Sequence, residues 1–244
     1  MTEPHLPWDQ ATFTEKLREV GARAYHDKHP FHLLMNEGKL DPEAVRGWVA
    51  NRFYYQRSIP QKDAAIVSNC PLREVRRMWL HRITDHDGVE NVDGEEGGIE
   101  TWLRLGEACG LTREELLDGR HLAPGAQFAV DAYVNFARTQ PWPVAIASSL
   151  TELFAPDLMS TRLAAFERHY TWVQPWGFDY FRRRVTQARR DSDEGLMLTL
   201  THCVSRELQE AAVRALVFKC DVLWSMLDAI HGKYGGAATK PAQP

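Results

Sequence analysis

The stretch ALVFKCDVLWSMLDAI, residues Ala215 to Ile230, is apolar on almost every face of a helix. That pattern belongs to a helix buried inside a domain or partly inside a subunit interface. Lys219 lies within the run, and steps of three and four residues set it beside Leu216, Cys220 and Leu223. Its ammonium must snorkel outward or meet an anion, because an unpaired buried charge is strongly destabilising. Two partners stay open at this point: an acid such as Asp221 or one on another helix, or a bound ligand.

Outward from that run, the punctuation reads as helices almost throughout. Asp41-Pro42-Glu43 supplies an N-cap and a proline at the first helical position, and Val45, Trp48, Val49 and Phe53 recur at helical spacing until Pro60. Asn69-Cys70-Pro71 starts a second helix through Val75, Met78, Trp79, Leu80 and Ile83, which ends at the polar, glycine-rich stretch Asp87 to Gly98. Ile99 to Cys109 forms the next, Thr112 with Glu115 makes a capping box, and Pro124-Gly125 precedes a helix over Gln127 to Arg138. Segments over Val144 to Phe154, Met159 to Tyr170, Phe178 to Cys203 and Arg206 to Tyr234 follow. No alternating run long enough for a strand and no fixed repeat occurs. The expectation is an all-α single domain over residues 1–234, a bundle of about seven helices, with a frayed tail over 235–244.

The 244 residues suit one large domain. With 29 Lys and Arg against 33 Asp and Glu, the net charge of -4 argues against a broad nucleic-acid-binding surface. The start MTEPHLPWDQ has no signal-peptide character and no run of apolar residues is long enough to span a bilayer, so the expectation is a cytoplasmic protein without a membrane partner. Cys70, Cys109, Cys203 and Cys220 are far apart and read as packed thiols.

Several polar residues sit where apolar ones are expected. In GWVANRFYYQ (Gly47 to Gln56), Arg52, Tyr55 and Gln56 share the face of Trp48, a set suited either to gripping a carboxylated aromatic ligand or to a hydrogen-bond network between helices. Tyr180 and Arg184 stand four apart in DYFRRR, and Arg162 lies in another amphipathic stretch; each arginine alone reads equally as a solvated charge. His86 in DHDG stands at a helix end between carboxylates, either a tuned acid or base or a charged ring favoured by the helix dipole. His26, His29 and His32 are clustered, but Pro30 breaks any single helix face. The paired Glu-x-x-His of di-iron bundles, His-Glu-x-x-His, the P-loop, the Rossmann fingerprint and Gly-x-Ser-x-Gly are all missing, so no metal is expected.

These blocks, together with IPQKDAAI (Ile59 to Ile66), RITDHDG (Arg82 to Gly88), GGIETWLRLGEACGL (Gly97 to Leu111), FAVDAYVNFAR (Phe128 to Arg138), SSLTELFAP (Ser148 to Pro156) and FKCDVLWSMLDA (Phe218 to Ala229), give a chain that resembles the pyrroloquinoline-quinone synthase family from about Tyr25 to Asp228. The resemblance implies a haem-oxygenase-like helical fold, a homodimer, and an oxidase that uses neither metal nor redox cofactor. Its reaction would close a ring in a bicyclic quinone precursor carrying several carboxylates, and oxidise it with O2 to pyrroloquinoline quinone, releasing H2O2. It also implies catalytic roles for His86, Tyr180, Arg184, His26 and Tyr25. Substrate binding would fall to Arg52, Tyr55, Gln56, Lys62, Tyr133, Glu152, Arg162 and Lys219. The family's oxygen-site histidine is replaced by Met159, which neither donates a hydrogen bond nor carries a proton. That departure motivates an alternative: a quinone-binding or carrier protein with weak turnover on the same scaffold.

Overall fold

The computed structural model describes residues 6–235 except 91, 93 and 94. The described residues form α1 (Gln10–Ala24), α2 (Pro30–Asn36), α3 (Pro42–Asn69), α4 (Arg73–Asp87), α5 (Gly97–Ala108) and α6 (Arg113–Leu117). These are followed by α7 (Pro124–Thr139), α8 (Trp142–Ala147), α9 (Ala155–His169), α10 (Asp179–His202) and α11 (Arg206–Tyr234). Three 3-10 turns, His26–Lys28, Ser148–Phe154 and Pro175–Phe178, complete the set, and no strand occurs among the described residues. The all-α expectation holds, but eleven α-helices exceed the seven or so read from the sequence. The sequence reading places no helix over α1 or α2, although Phe13, Leu17 and Val20 fall at helical spacing on α1, and the Val144 to Phe154 segment divides into α8 and a 3-10 turn. The tail expected over 235–244 lies, Gly235 apart, outside the described residues.

Local chemistry explains most of the boundaries. Asp41 caps α3 by accepting from Ala44 N at 2.8 Å, and Thr112 and Glu115 form both bonds of the capping box that opens α6. Pro30 opens α2 at its first turn with His29 as the cap, because proline's missing N–H costs nothing there. Pro60 does not end α3, contrary to the sequence reading; the helix runs on to Asn69. Proline removes one bond to the preceding turn, and burial of Ser58, Ile59, Lys62, Asp63 and Ile66 on either side holds the helix together.

The buried helices are α3 and α11. α3 packs mainly on α7 and α4, α11 on α7 and α1, and α10 on α9. One large core joins Trp48, Phe53, Trp102, Tyr133, Phe166, Leu223 and Met226, and two smaller ones flank it. α11 is not wholly enclosed: Arg214, Asp221, Ser225 and Asp228 form a solvent stripe, so Asp221 points away from Lys219 and the sequence-based ion pair does not form. All four cysteines are buried free thiols. No helix among the described residues is long and apolar enough to cross a membrane.

Two glycines shape the site. Gly88 closes α4 with φ of +86°, a left-handed conformation that turns the chain directly after His86-Asp87. Gly21 on α1 lets the 3-10 turn Ser148–Phe154 come close, since a Cβ there would overlap the Phe154 ring, which in turn packs 5.3 Å from the Tyr25 ring. Gly21→Ala should lower unfolding free energy by about 1–3 kcal/mol through overpacking, read from urea denaturation curves; an unchanged midpoint would contradict this close approach.

Candidate active site

A narrow, largely buried cavity lies between α3, α4, α7, α10 and the 3-10 turn that carries Glu152. Of the residues singled out in the sequence, Tyr25, His26, Arg52, Tyr55, Gln56, Lys62, His86, Tyr133, Glu152, Met159, Tyr180 and Arg184 line it. Arg162 and Lys219 do not line it but stand directly behind its wall. Lys219 Nζ donates to Tyr55 Oη at 2.7 Å and lies 3.5 Å from the Tyr133 ring centre. Arg162 lies over Trp48 and donates from Nη2 to His32 Nε2 at 3.0 Å.

Sequence reasoning assigned no role to Arg82, Asp63, Asp191, Ser149 or His32, although all are buried at or beside the cavity. Arg82 could have been found, since it precedes His86 by one helical turn inside the RITDHDG block. Asp191 lies in a charged run, ARRDSDEG, that reads as surface, and no local signal marks it.

The electrostatics divide the cavity in two. On one side Arg82 bonds Asp191 at 3.0 Å and lies 3.7 Å from Glu152, while Arg184 bonds Glu152 at 2.8 Å and Asp191 at 3.2 Å. Lys62 meets Asp63 at 2.5 Å and Ser149 Oγ at 2.9 Å. Against the cost of burial, these cations hold the Asp191 and Asp63 carboxyls below their ordinary range, and the acids hold Arg82 and Arg184 firmly charged. On the other side no carboxylate among the described residues lies within 4 Å of Arg52, Arg162 or Lys219. Arg52 rests 3.9 Å from the Tyr55 ring centre instead. Burial, then the Arg52 charge, pushes the Arg162 guanidinium down to about 9, and burial followed by Arg52 and Lys62 pushes the Lys219 ammonium well down. Arg52 Nη1 and His26 Nδ1 are buried with no hydrogen-bond partner in the protein, and the Gln56 amide has none beyond its interaction with the Tyr180 phenol. Buried polar atoms without a partner are rare in folded proteins, and here they face one cavity.

His86 is buried in the last turn of α4, and its Nδ1 bonds the Arg82 carbonyl at 3.0 Å. A carbonyl only accepts, so Nδ1 carries the proton and Nε2 is left as a lone pair on a ring that lines the cavity. Burial, then the Arg184 charge, brings its pKa down to about 4. The neutral ring rules out the dipole-favoured imidazolium. The neighbouring acids do not tune it either: Asp85 pairs with Arg190, and Asp87 is exposed. Tyr180 meets Trp102 edge-on at 4.6 Å, and burial raises its phenol pKa, as it does that of Tyr25.

Among the described residues one group, His81, Asp85 and Asp191, brings three metal-type donor atoms together. Arg190 pairs with both of its carboxylates, and Arg82 and Arg184 also pair with Asp191, so protein cations already surround them.

A helical bundle built around a cation-rich cavity defines a helical domain of haem-oxygenase-like fold. Solved structures with the same fold include a TenA homologue from Pseudomonas syringae pv. tomato, with TM-score 0.74, 15% identity, and coverage of 94% of this chain and 98% of that one. A haem-oxygenase-like domain from Shewanella denitrificans OS217 aligns with TM-score 0.71 and 12% identity over 95% of this chain and 96% of that one. The sequence profile of the TENA/THI-4/PQQC family matches residues 14–229, and the chain belongs to that family. Within it, the pyrroloquinoline-quinone synthase of Pseudomonas aeruginosa strain LESB58 is 57% identical over 93% of this chain and 89% of that protein. The pyrroloquinoline-quinone synthase of Cronobacter sakazakii is 56% identical over 91% and 87%.

Because burial and neighbouring cations hold Lys219 below its ordinary pKa, an anion bound in the cavity beside it raises that pKa and draws in a proton. Binding of benzenetricarboxylate should therefore take up protons and weaken as pH rises from the lowered toward the restored value. Titration calorimetry in phosphate and Tris, which differ in ionisation enthalpy, measures the uptake; heats independent of buffer would contradict it.

Proposed function

We propose that the chain is an O2-dependent oxidase of the pyrroloquinoline-quinone synthase type, which cyclises and oxidises a bicyclic polycarboxylate quinone precursor to pyrroloquinoline quinone and releases H2O2. The observation that carries the reading is the set of three buried cations without carboxylate partners, Arg52 lining the cavity and Arg162 and Lys219 directly behind its wall, beside a neutral, tautomer-fixed histidine on that wall. A substrate with several carboxylates can leave water only where cations replace its hydration, and these three stand ready for that task. The identity with two named synthases supports the specific chemistry.

In this reading Arg52, Arg162 and Lys219 balance the substrate's carboxylates, and the amide of Gln56 and the phenol of Tyr55 fix the ring plane. Lys62, Tyr133 and Glu152 complete the substrate wall. His86 Nε2 accepts a proton as the ring closes and again as the quinol is oxidised, its basic form being the one present at neutral pH. O2 takes electrons directly from the deprotonated quinol, so neither metal nor redox cofactor takes part. Arg184, held charged by Glu152 and Asp191, stabilises the superoxide or peroxide that forms beside Tyr180. Tyr25 and His26 close the opposite side, their rings edge to face at 4.5 Å. The reading includes a homodimer, an assembly that sedimentation equilibrium tests directly.

Met159 favours the second reading, a quinone carrier with weak turnover, since it puts a thioether on the cavity wall where the resemblance expects an imidazole. The two readings separate on one series. For the oxidase, His86→Asn should slow quinone formation by about 10²-fold or more while product affinity changes little, in line with loss of a general base. Wild-type protein that binds pyrroloquinoline quinone tightly yet consumes no O2 over multiple turnovers would establish the carrier. Met159→His should raise the turnover rate if the missing ring limits oxidation, and an unchanged rate would show that it does not.

A further inference from the structure

His32 is a buried, titratable side chain with no part in the chemistry above, yet its hydrogen bonds are fully determined. Nδ1 lies 2.9 Å from the His26 carbonyl oxygen and Nε2 lies 3.0 Å from Arg162 Nη2. The carbonyl can only accept and the guanidinium can only donate, so Nδ1 bears the proton and Nε2 is the acceptor: the ring is neutral by geometry. Burial followed by the Arg162 charge keeps its pKa well below the ordinary value, in agreement. The His32 ring also packs 4.9 Å from that of His26, on the cavity wall.

The contrast with the two acid-paired arginines of the cavity gives this bond its meaning. Arg82 and Arg184 are held by Asp191 and Glu152, which position them and cancel their charge together. Arg162 alone of the three is held by an uncharged acceptor. An imidazole fixes a guanidinium's orientation as a carboxylate does, but leaves the full positive charge available to a ligand. Met159, one helical turn earlier on α9, offers no hydrogen bond along this wall, which leaves the polar character of this part of α9 to Arg162.

We propose that His32 is a positioning residue that holds the Arg162 guanidinium just behind the cavity wall through Nε2 while leaving its charge uncompensated, so that the cavity receives a carboxylate on that side. The proposal rests on the anion-binding reading of the cavity. It assigns the specificity of this position to the neutrality of the residue at 32 as much as to its shape. A carboxylate at 32 would make a stronger bond to Arg162 and a poorer site.

The test compares His32→Ala, His32→Gln and His32→Glu with wild type, using pyrroloquinoline quinone and benzenetricarboxylate as probes and thermal midpoints as a control for folding. His32→Ala should weaken binding of both probes about tenfold, as loss of one charge-assisted hydrogen bond implies. His32→Gln, whose amide oxygen can accept from Arg162 without charge, should recover most of that loss. His32→Glu should bind at least as weakly as His32→Ala even where its thermal midpoint equals or exceeds the wild type's. In an Arg162→Gln background the substitutions at 32 should add no further loss. Wild-type affinity in His32→Glu would overturn the proposal, as would His32→Gln binding as weakly as His32→Ala at equal stability, which marks a purely structural ring. Wild-type protein that binds the tricarboxylate but neither binds nor forms the quinone would sink the oxidase reading alone, and the His32 series read on the tricarboxylate would still decide this one. Failure of wild type to bind either probe would overturn both.

Discussion

The structure depends on the buried ion network that joins Arg82, Asp191, Arg184 and Glu152. Its members come from α4, α10 and the 3-10 turn Ser148–Phe154, so the network locks three segments far apart in the chain around one side of the cavity. Each charge taken from water is costly, and only the shared contacts offset that cost: Asp191 receives both arginines, and Glu152 lies within reach of both. Trp79 and Lys62 extend the arrangement through Asp63, which accepts from the indole at 2.8 Å. Because the acids here are saturated by protein cations, they are unavailable to the cations across the cavity.

That saturation explains the polarity of the site. Six cations, Arg52, Lys62, Arg82, Arg162, Arg184 and Lys219, are buried around the cavity, and Asp63, Asp191 and Glu152 are the carboxylates paired with them. The remaining positive charge rests on tyrosine and tryptophan faces, a phenol and an imidazole, all of which orient a cation without neutralising it. The histidines follow the same logic. Burial beside so many cations keeps His26, His32 and His86 neutral, and backbone carbonyls fix the tautomers of His32 and His86. The chain as a whole carries a net charge of -4 while the groups buried around the cavity carry the opposite sign, so the negative charge lies outside it.

Much of this was legible in the sequence. Asp41-Pro42, Thr112 with Glu115 and Pro124 announce helix starts because capping is local chemistry, and α11 is announced by an apolar run too wide for a surface helix. Arg52, Tyr55 and Gln56 stood out as polar residues on an apolar face, and all three are buried at the cavity. Pro60 misled because the loss of one backbone bond was outweighed by burial along the rest of α3, a tertiary term that local rules omit. The number of helices was undercounted for a related reason: α1 is tied down by its packing on α11 and by Trp8 bonding Gln209, contacts some two hundred residues distant. The acids beside His86 were misleading in another way, since helical geometry turns them away from the ring while Arg184 and burial set its protonation.

The sequence by itself determined that the chain is helical, that α11 is largely buried, and that cations lie on faces meant for a core. Those properties arise from spacing along a helix and need no knowledge of what lies opposite. Only the tertiary structure decided which cations are neutralised. Asp191 in its charged run, Glu152 in a 3-10 turn and His32 beside a proline give no local sign of their partners, because a buried charge takes its energy from whatever the fold brings within a few ångströms. The pairing of Arg82 and Arg184 with acids, and of Arg162 with a neutral ring, is therefore a property of the packed helices, and it is what gives the cavity its charge.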